Sequence, residues 1–577
     1  MDQSVYQKWR SWPILLVGIF FPFIVFAKHI EVPVIVKEYL HVAPSKVDVF
    51  TYYRGIAVIL MALSMLLIIG LDIIRNSETK KKWIVELKKP FNLAMLLLFL
   101  LIGLSLVMSE YKSVSLLGAY ITGEGTLHWL SYIIIYFYTS FYITRDSFEK
   151  LGKWMFFASI FLFFVGLCAY LGYSLFEAEW YLKLIKPVEM KALEFVDLFA
   201  GQFSTFLGNP NHIGSYVALV LPMFMIFPFK WNKKNILYWT PIWTLFVILV
   251  FSRSSAGLLG TLVSILIWSV FLLKTGAFKV KRHGVMLTGL CVLYLSVSLI
   301  AGGGSISDEI AGLNTLNASK NITSKLSGIS ATPNTITFDY LSYEISIKRI
   351  SNEIEFHLND VAQDLRPVVI DDRSGYQILN DELGNITFYL VDASLMELHF
   401  DNHMFFMVNT PDSLVLTTMR LEPVYLEEIP SFGFKGYEKF ASSRGYIWSR
   451  SLPLLKDTLM LGKGADTYAL YFPQYDVVGK IIGFDRYNHA VDKPHNMYLM
   501  MAFSFGVTAL ALFVFSIMNM VYSTGSQNGF NIGFMTFAML SGILTTWLFN
   551  DSMTLYAFVF WVLLGCISKM GVLIEQQ

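Results

Sequence analysis

Four short runs in this 577-residue chain combine residue types that could do chemistry. They are Phe206-Leu-Gly-Asn-Pro-Asn-His-Ile-Gly214; Ser252-Arg-Ser-Ser-Ala-Gly257; Ser443-Arg-Gly-Tyr-Ile-Trp448 with the following Leu461-Gly-Lys-Gly-Ala-Asp466 and Tyr471-Phe-Pro-Gln-Tyr475; and Lys493-Pro-His-Asn-Met-Tyr-Leu499. Arg253 and Arg444 carry planar guanidinium forks that hold phosphate oxygens bidentately. His495 carries an imidazole, the side-chain type suited to a general base or an acceptor-positioning group near neutral pH. Each also has a plainer role. Arg253 would anchor at an interface with its head among lipid phosphates, Arg444 would be a solvated surface residue, His495 would cap a helix after Pro494, and Asn211 would cap the helix after Asn209-Pro210. Gly462-Lys-Gly464 lacks the frame of a nucleotide-binding loop. The acids Asp466, Asp476, Asp485 and Asp492 lack calcium-loop spacing, so no metal site and no cofactor is expected.

The elements that must carry these residues follow from composition. Apolar residues make up 55% of the chain, aromatic residues 16% and charged residues 15%, with a mean hydropathy of +0.54. Soluble domains carry about a quarter charged residues, so an ordinary cytosolic enzyme and a disordered chain are both excluded. The net charge of +1 offers no field for nucleic acid. A bilayer core takes about 20 apolar residues per helix. Twelve stretches qualify, near 12–28, 53–73, 92–108, 127–143, 154–174, 211–228, 236–252, 256–274, 284–301, 495–518, 531–549 and 552–573. No small-residue cleavage site follows the first, which is expected to be a retained span. Cys168, Cys291 and Cys566 all fall inside apolar stretches, as packing residues.

The basic clusters orient these spans. Lys8 and Arg10, the 75–89 loop, Arg145 to Lys153, Lys230 to Lys234 and Lys274 to Arg282 all fall on one side, which the positive-inside rule makes cytoplasmic together with both termini. All four chemical runs then lie on the opposite, outer side. The expected organisation is spans one to nine over 1–301, an extracytoplasmic domain over 302–492, and spans ten to twelve over 493–577. Within the outer domain, 303–333 reads as a linker, 335–428 alternates with period two as a small antiparallel β domain, and 443–470 returns to helical spacing. Phe176–Leu207 reads as an interfacial helix with an aromatic face of Trp180, Tyr181, Phe195 and Phe199.

Cations and a histidine on one outer face have a coherent use. A glycosyl pyrophosphate needs no acid to expel its leaving group if cations neutralise it, and the acceptor hydroxyl needs only a group to orient or deprotonate it. Arg253 opposes the charge rule by standing on the outer side, so topology does not account for it.

In their order along the chain, Gly208 to Gly214, Ser252 to Gly257, Arg444 with Trp448, Gly462 to Asp466, Tyr471 to Tyr475 and His495-Asn496 with Tyr498-Leu499 resemble the O-antigen ligase and polymerase family. The resemblance implies an all-α polytopic membrane glycosyltransferase of the GT-C type, with about 12 transmembrane helices and a large outer loop, here with a β-rich insertion. It further implies an undecaprenyl-pyrophosphate-linked glycan donor, a glycan or lipid-linked acceptor, inversion at the anomeric carbon, and a bacterial plasma membrane location among membrane lipids. Neither a nucleotide sugar nor an obligatory metal is implied. By position, catalytic roles fall on His495, Arg253 and Arg444, and substrate contacts on Asn209, Asn211, His212, Glu124, Arg450, Asn496 and Tyr498. Two departures stand out. The Thr122-Gly-Glu-Gly125 run lacks an arginine that the family often places ahead of its Glu-Gly pair, which turns attention to Lys112 or Arg450. The insertion at 335–428 exceeds the family's usual outer loop. A transporter or flippase of the same lipid-linked material is the alternative, but it would need charged or broken helices near the midplane. A surface receptor would leave Arg253 and His495 without a role.

Overall fold

A computed structural model describes residues 3–573 except 41, 119–122, 188–202, 231–239, 275–324, 529, 571–572 and short gaps between 351 and 428. The chain forms two compact units. The first comprises 1–307, 455–470 and 495–577; the second comprises 308–454 and 471–494. The segment 455–470 therefore sorts with the helices, whereas its sequence placed it in the outer domain.

In the helical unit, four helices are long and apolar enough to cross a membrane: Tyr52–Arg75, Pro90–Met108, Arg145–Tyr170 and Val507–Gln527. Shorter apolar helices include Thr240–Ser252, Ser255–Phe271, Ile532–Thr546 and Ala557–Ile567. Twelve full spans are not seen among the described residues, and the stretch 284–301 lies outside them. The expected span 495–518 is two helices, Met497–Phe505 and Val507–Asn528, separated at Gly506 with φ +109°. Only glycine adopts that backbone freely, so the long helix starts about twelve residues later than hydropathy indicated.

Helices Pro210–Lys230, Ser255–Lys274 and Phe530–Thr546 pack together through small residues. A Cβ on Gly257 would stand 2.6 Å from Gly214 Cα, and one on Gly542 would stand 2.4 Å from Ala218 O. Backbones this close need glycine at the contact. Helix Tyr52–Arg75 is deeply polar at one end. Arg54 is fully buried and donates to the carbonyls of Pro22, Ile24 and Phe206 at 2.9–3.0 Å. Asp72, near the other end, is buried against Arg10 (2.5 Å) and the Tyr142 hydroxyl (2.6 Å). A hairpin of Lys28–Glu31 and Ser45–Asp48 was not foreseen. The expected interfacial helix is shorter, Glu179–Ile185, with Trp180 exposed but Tyr181 buried; Phe195 and Phe199 lie outside the described residues. Among the described residues Cys168 is exposed and Cys566 buried, so only the latter is a core packing residue there; Cys291 lies outside the described residues.

The second unit is a pair of antiparallel sheets. The first runs in chain order through Leu326–Thr332, Thr335–Tyr340, Tyr343–Ile350, Glu353–Leu358 and Val361–Ala362. The second has six strands from Leu365–Ile370 to Leu414–Thr417, also in chain order. Alternation sends Ile336, Phe338 and Tyr340 inward from one sheet and Ile386, Phe388, Leu398 and Phe400 inward from the other. Phe338 meets Phe400 at 4.5 Å and Phe356 meets Phe388 at 4.3 Å between ring centroids, so the faces pack as a sandwich. Val477 and Ile481 of helix Val477–Phe484 join the same core. The first strand, Leu326–Thr332, occupies residues that read as linker. Its Ser, Gly and Thr content masked a strand whose register is set by pairing with 335–340.

Candidate functional site

Within the helical unit, three of the four runs are joined by hydrogen bonds. Gly208, at φ +66°, turns the chain into helix Pro210–Lys230. Asn209 Oδ1 accepts from the backbone N–H of Asn211 (2.8 Å), so Asn209 caps this helix and Pro210 fills its first turn. Asn211, the expected cap, instead offers Oδ1 to the Ser254 hydroxyl at 3.3 Å. Ser254 Oγ also accepts the N–H of Gly257 (3.2 Å) at the start of helix Ser255–Lys274. Between the helices ending at Ser252 and starting at Ser255, Arg253 is exposed at φ +51°. The positive φ turns the chain from one helix into the next at Arg253. His212 follows in the first turn, partly exposed.

The fourth run joins them through the connection between the last two apolar helices. His495 Nδ1 stands 3.2 Å from Asp551 Oδ2, with the histidine side chain 37% exposed and the aspartate 5%. Asp551 Oδ1 accepts the backbone N–H of Asn496 at 3.1 Å. Asn550 Nδ2 donates to Ser215 Oγ (3.0 Å) and Asn211 O (3.4 Å), tying this connection to the Asn209–Asn211 turn. Tyr556 donates its hydroxyl to Asp551 O (2.6 Å), which fixes the aspartate from behind. His495 does not enter a helix, as the sequence had it, but precedes one at φ +48°. Asn496 is the cap, accepting from the N–H groups of Tyr498 and Leu499 at 3.0 Å. Its Nδ2 donates to Leu548 O at 3.0 Å, and the Tyr498 hydroxyl donates to Leu544 O at 2.7 Å. These bonds make Asn496 and Tyr498 positioning residues for His495.

Asp551 and Asn550 were missed in the sequence. Their signal was present: a polar Asn-Asp-Ser run between two apolar stretches, on the outer side of the expected topology. With Nδ1 facing a carboxylate, the proton is held there and Nε2 is left as the basic nitrogen. The arrangement can take a proton from a hydroxyl and stabilise the resulting imidazolium.

Glu124 is buried in the same unit. Its Oε1 accepts from the hydroxyls of Tyr132 (2.7 Å) and Thr554 (3.4 Å). Burial pushes its carboxyl up to about 7, against hydrogen bonds from Tyr132 and Ser552 and with a further push from Asp466. Asp466, the end of the Leu461–Asp466 run, is buried. Lys112 is exposed at the start of helix Lys112–Leu117.

Arg444 and Arg450 belong to the second unit, on helix Phe440–Leu454. Three consecutive positive φ angles at Ala441–Ser443 kink its start, and Arg444 Nη1 donates to Ala441 O at 2.6 Å. The Trp448 indole N–H donates to Pro494 O at 2.9 Å. Arg450 Nε donates to Asp476 Oδ2 at 2.9 Å, and the guanidinium lies 5.0 Å from the Tyr446 ring. That pair is largely buried, so Arg450 is already committed to a carboxylate. Lys480 is buried beside it and donates to Gln474 O; burial lowers its pKa to about 8, against the charge of Asp476. Among the described residues, no group of three or more His, Cys, Asp or Glu could hold a metal. No family model, curated protein or solved structure matches the chain.

Proposed function

We propose that this protein is a membrane glycosyltransferase that polymerises or ligates a cell-surface polysaccharide on the outer face of a bacterial plasma membrane. The donor is an undecaprenyl-pyrophosphate-linked glycan and the acceptor a hydroxyl on a second glycan or lipid-linked molecule. Both termini are cytoplasmic in this reading. The observation that carries it is the buried Asp551 behind a half-exposed His495, hydrogen-bonded through Asn550 and Asn211 to the hairpin that bears Arg253.

The chemistry assigns each group a task. His495 Nε2 takes the proton of the acceptor hydroxyl while Asp551 stabilises the imidazolium. The acceptor oxygen bonds to the anomeric carbon, the bond from that carbon to the pyrophosphate oxygen breaks, and the electron pair leaves with the lipid pyrophosphate. Arg253 neutralises that charge. The proton on His495 then passes to the departing phosphate or to water, which restores the base. A transporter reading draws no support from the buried charges of helix Tyr52–Arg75. Arg54 is locked to three carbonyls and Asp72 to Arg10 and Tyr142, so neither is available to a passing substrate.

The test is transfer by purified protein in liposomes containing a lipid-linked oligosaccharide. Wild type is expected to give a ladder of lengths or a single transferred product, and Arg253→Ala to lose at least about 100-fold in rate. Translocation of the donor without a new glycosidic bond would establish the transporter instead.

A further inference from the structure

Between two helices long enough to cross a membrane, Tyr52–Arg75 and Pro90–Met108, the chain does not make an open loop. It forms an 11-residue helix, Ser77–Leu87. Asn76 turns the chain and caps this helix, its side chain accepting from the N–H groups of Glu78 (2.9 Å) and Thr79 (3.2 Å). Only Asn76 on one side and Lys88 and Lys89 on the other connect it to the long helices, so it is held at the level where they end. Its inner face is fixed. Trp83 is buried and stacks on Phe141 at 4.2 Å between ring centroids, and Glu86 is paired with Lys569 (2.6 Å) and Lys89 (2.9 Å).

The outward face combines two chemistries. At about 100° per residue, Ile84, Lys81 and Val85 share its centre, with Lys80 on one flank and Lys82 on the other. Ile84 is 45% exposed, Val85 63%, and Ile74, just before the turn, 83%. Lys81 is paired with Glu78 at 3.0 Å. Arg75, Lys80, Lys82 and Lys88 are exposed, and among the described residues no carboxylate pairs with any of them. Both acids of the helix are spent on other cations, and unpaired positive charge frames an apolar patch. A free phosphate or an acidic polymer would satisfy the cations and leave the aliphatic side chains wet. A zwitterionic lipid receives the aliphatic side chains, but its own cation repels the lysines. An anionic phospholipid meets both needs: Ile84 and Val85 enter the acyl boundary while the long lysine stems carry their ammonium groups to the phosphates.

We propose that helix Ser77–Leu87 lies in the membrane interface and gathers anionic phospholipid headgroups through Arg75, Lys80, Lys82 and Lys88. The contacts of its inner face carry the effect inward. Trp83 joins the lipid surface to helix Thr126–Tyr142 through Phe141, and Glu86 joins it to Lys569 near the end of the chain, so bound headgroups steady the ends of these elements. The proposal rests on the membrane placement and not on glycosyl transfer.

Full-length protein purified in detergent is to be titrated with phosphatidylglycerol or phosphatidylcholine, and the bound lipids counted by native mass spectrometry at low and high salt. Phosphatidylglycerol is expected to be held at least about tenfold more tightly, with the preference shrinking as salt rises. The triple variant Lys80→Gln, Lys82→Gln, Lys88→Gln changes only exposed positions and should lose the preference. Lys150→Gln with Lys153→Gln, on helix Arg145–Tyr170, should keep it. Equal binding of the two lipids would overturn the proposal, and so would a preference that the triple variant retains. Ile84→Ser with Val85→Ser should weaken phosphatidylglycerol binding at both salt levels. Binding indifferent to that change would assign the cations to a ligand that reads charge alone, such as free phosphate, and overturn the lipid. Recovery of folded full-length protein in buffer without detergent or lipid would remove the membrane placement itself, and the proposal with it.

Discussion

On helix Tyr52–Arg75, Leu60, Leu63 and Leu67 are 56–63% exposed while Arg54 and Asp72 are at most 3% exposed. In the β unit the order is reversed: Phe338, Leu398, Phe400 and Phe405 are fully buried, and the charges of Lys348, Asp360 and Arg373 lie toward solvent. The β unit is held by apolar surface removed from water. The helical unit has apolar surface to spare on its outside, as a lipid-facing protein does, so burying more of it against itself gains little. Its specificity must come from groups that hydrocarbon cannot satisfy: Arg54 on its carbonyls, Asp72 on Arg10, and close glycine contacts at 214, 257 and 542. The same rule applies to the His495–Asp551 pair in this unit. Polar side chains are costly there, and those that persist are fixed by partners into one geometry.

That contrast can be broken in graded steps. Arg54→Met keeps the bulk of the side chain but strips the donor from three buried carbonyls, each costing about 1–3 kcal/mol unsatisfied. We expect at least about 3 kcal/mol of destabilisation, read as faster hydrogen exchange at 20–25, 52–56 and 204–208 with no change in 326–417. Equal loosening of the strands would show that the units do not fold by separate rules. Next, Phe338→Ala opens a cavity between the sheets and should cost about 3–4 kcal/mol, with faster exchange confined to the β unit. A matching response in helices Pro210–Lys230 and Ser255–Lys274 would contradict the division.

The smallest effect is in pH. Lys480 has its pKa lowered to about 8 in the fold, against 10.4 in an unfolded chain. Between those values the unfolded chain binds more protons than the folded one. Stability of the β unit should therefore rise as pH increases from about 8 to 10, by at most about 3 kcal/mol. Lys480→Met should remove that slope; a slope that persists would assign it to another group.

Much of this was legible in the sequence. Hydropathy located the long helices because a run of apolar residues long enough to cross hydrocarbon has few other uses, and alternation located the strands from Thr335 onward. What escaped was set by tertiary contact. The strand Leu326–Thr332 carries weak local signals and exists because 335–340 pairs with it. The break at Gly506 lies inside a continuous apolar run and is invisible to hydropathy. At the site, His495 and Arg253 drew notice because their residue types are out of place, whereas Asp551 did not, since an acid in a short outer connection looks like ordinary solvation. Only the fold brings it to His495, more than fifty residues away. Asn211 was read as the cap, and Asn209 and Asn211 both as substrate contacts; a one-residue difference in where Pro210 starts the helix gives the cap to Asn209.

The central claim is that His495 and Asp551 act as one unit in glycosyl transfer. Its most direct test is a double-mutant cycle on transfer rate with His495→Ala, Asp551→Asn and the pair, in liposomes with lipid-linked oligosaccharide. The account predicts a loss of about 100-fold or more for His495→Ala, a smaller but clear loss for Asp551→Asn, and no further loss when the two are combined. Full activity in either single variant, or losses that simply multiply in the double variant, would contradict it.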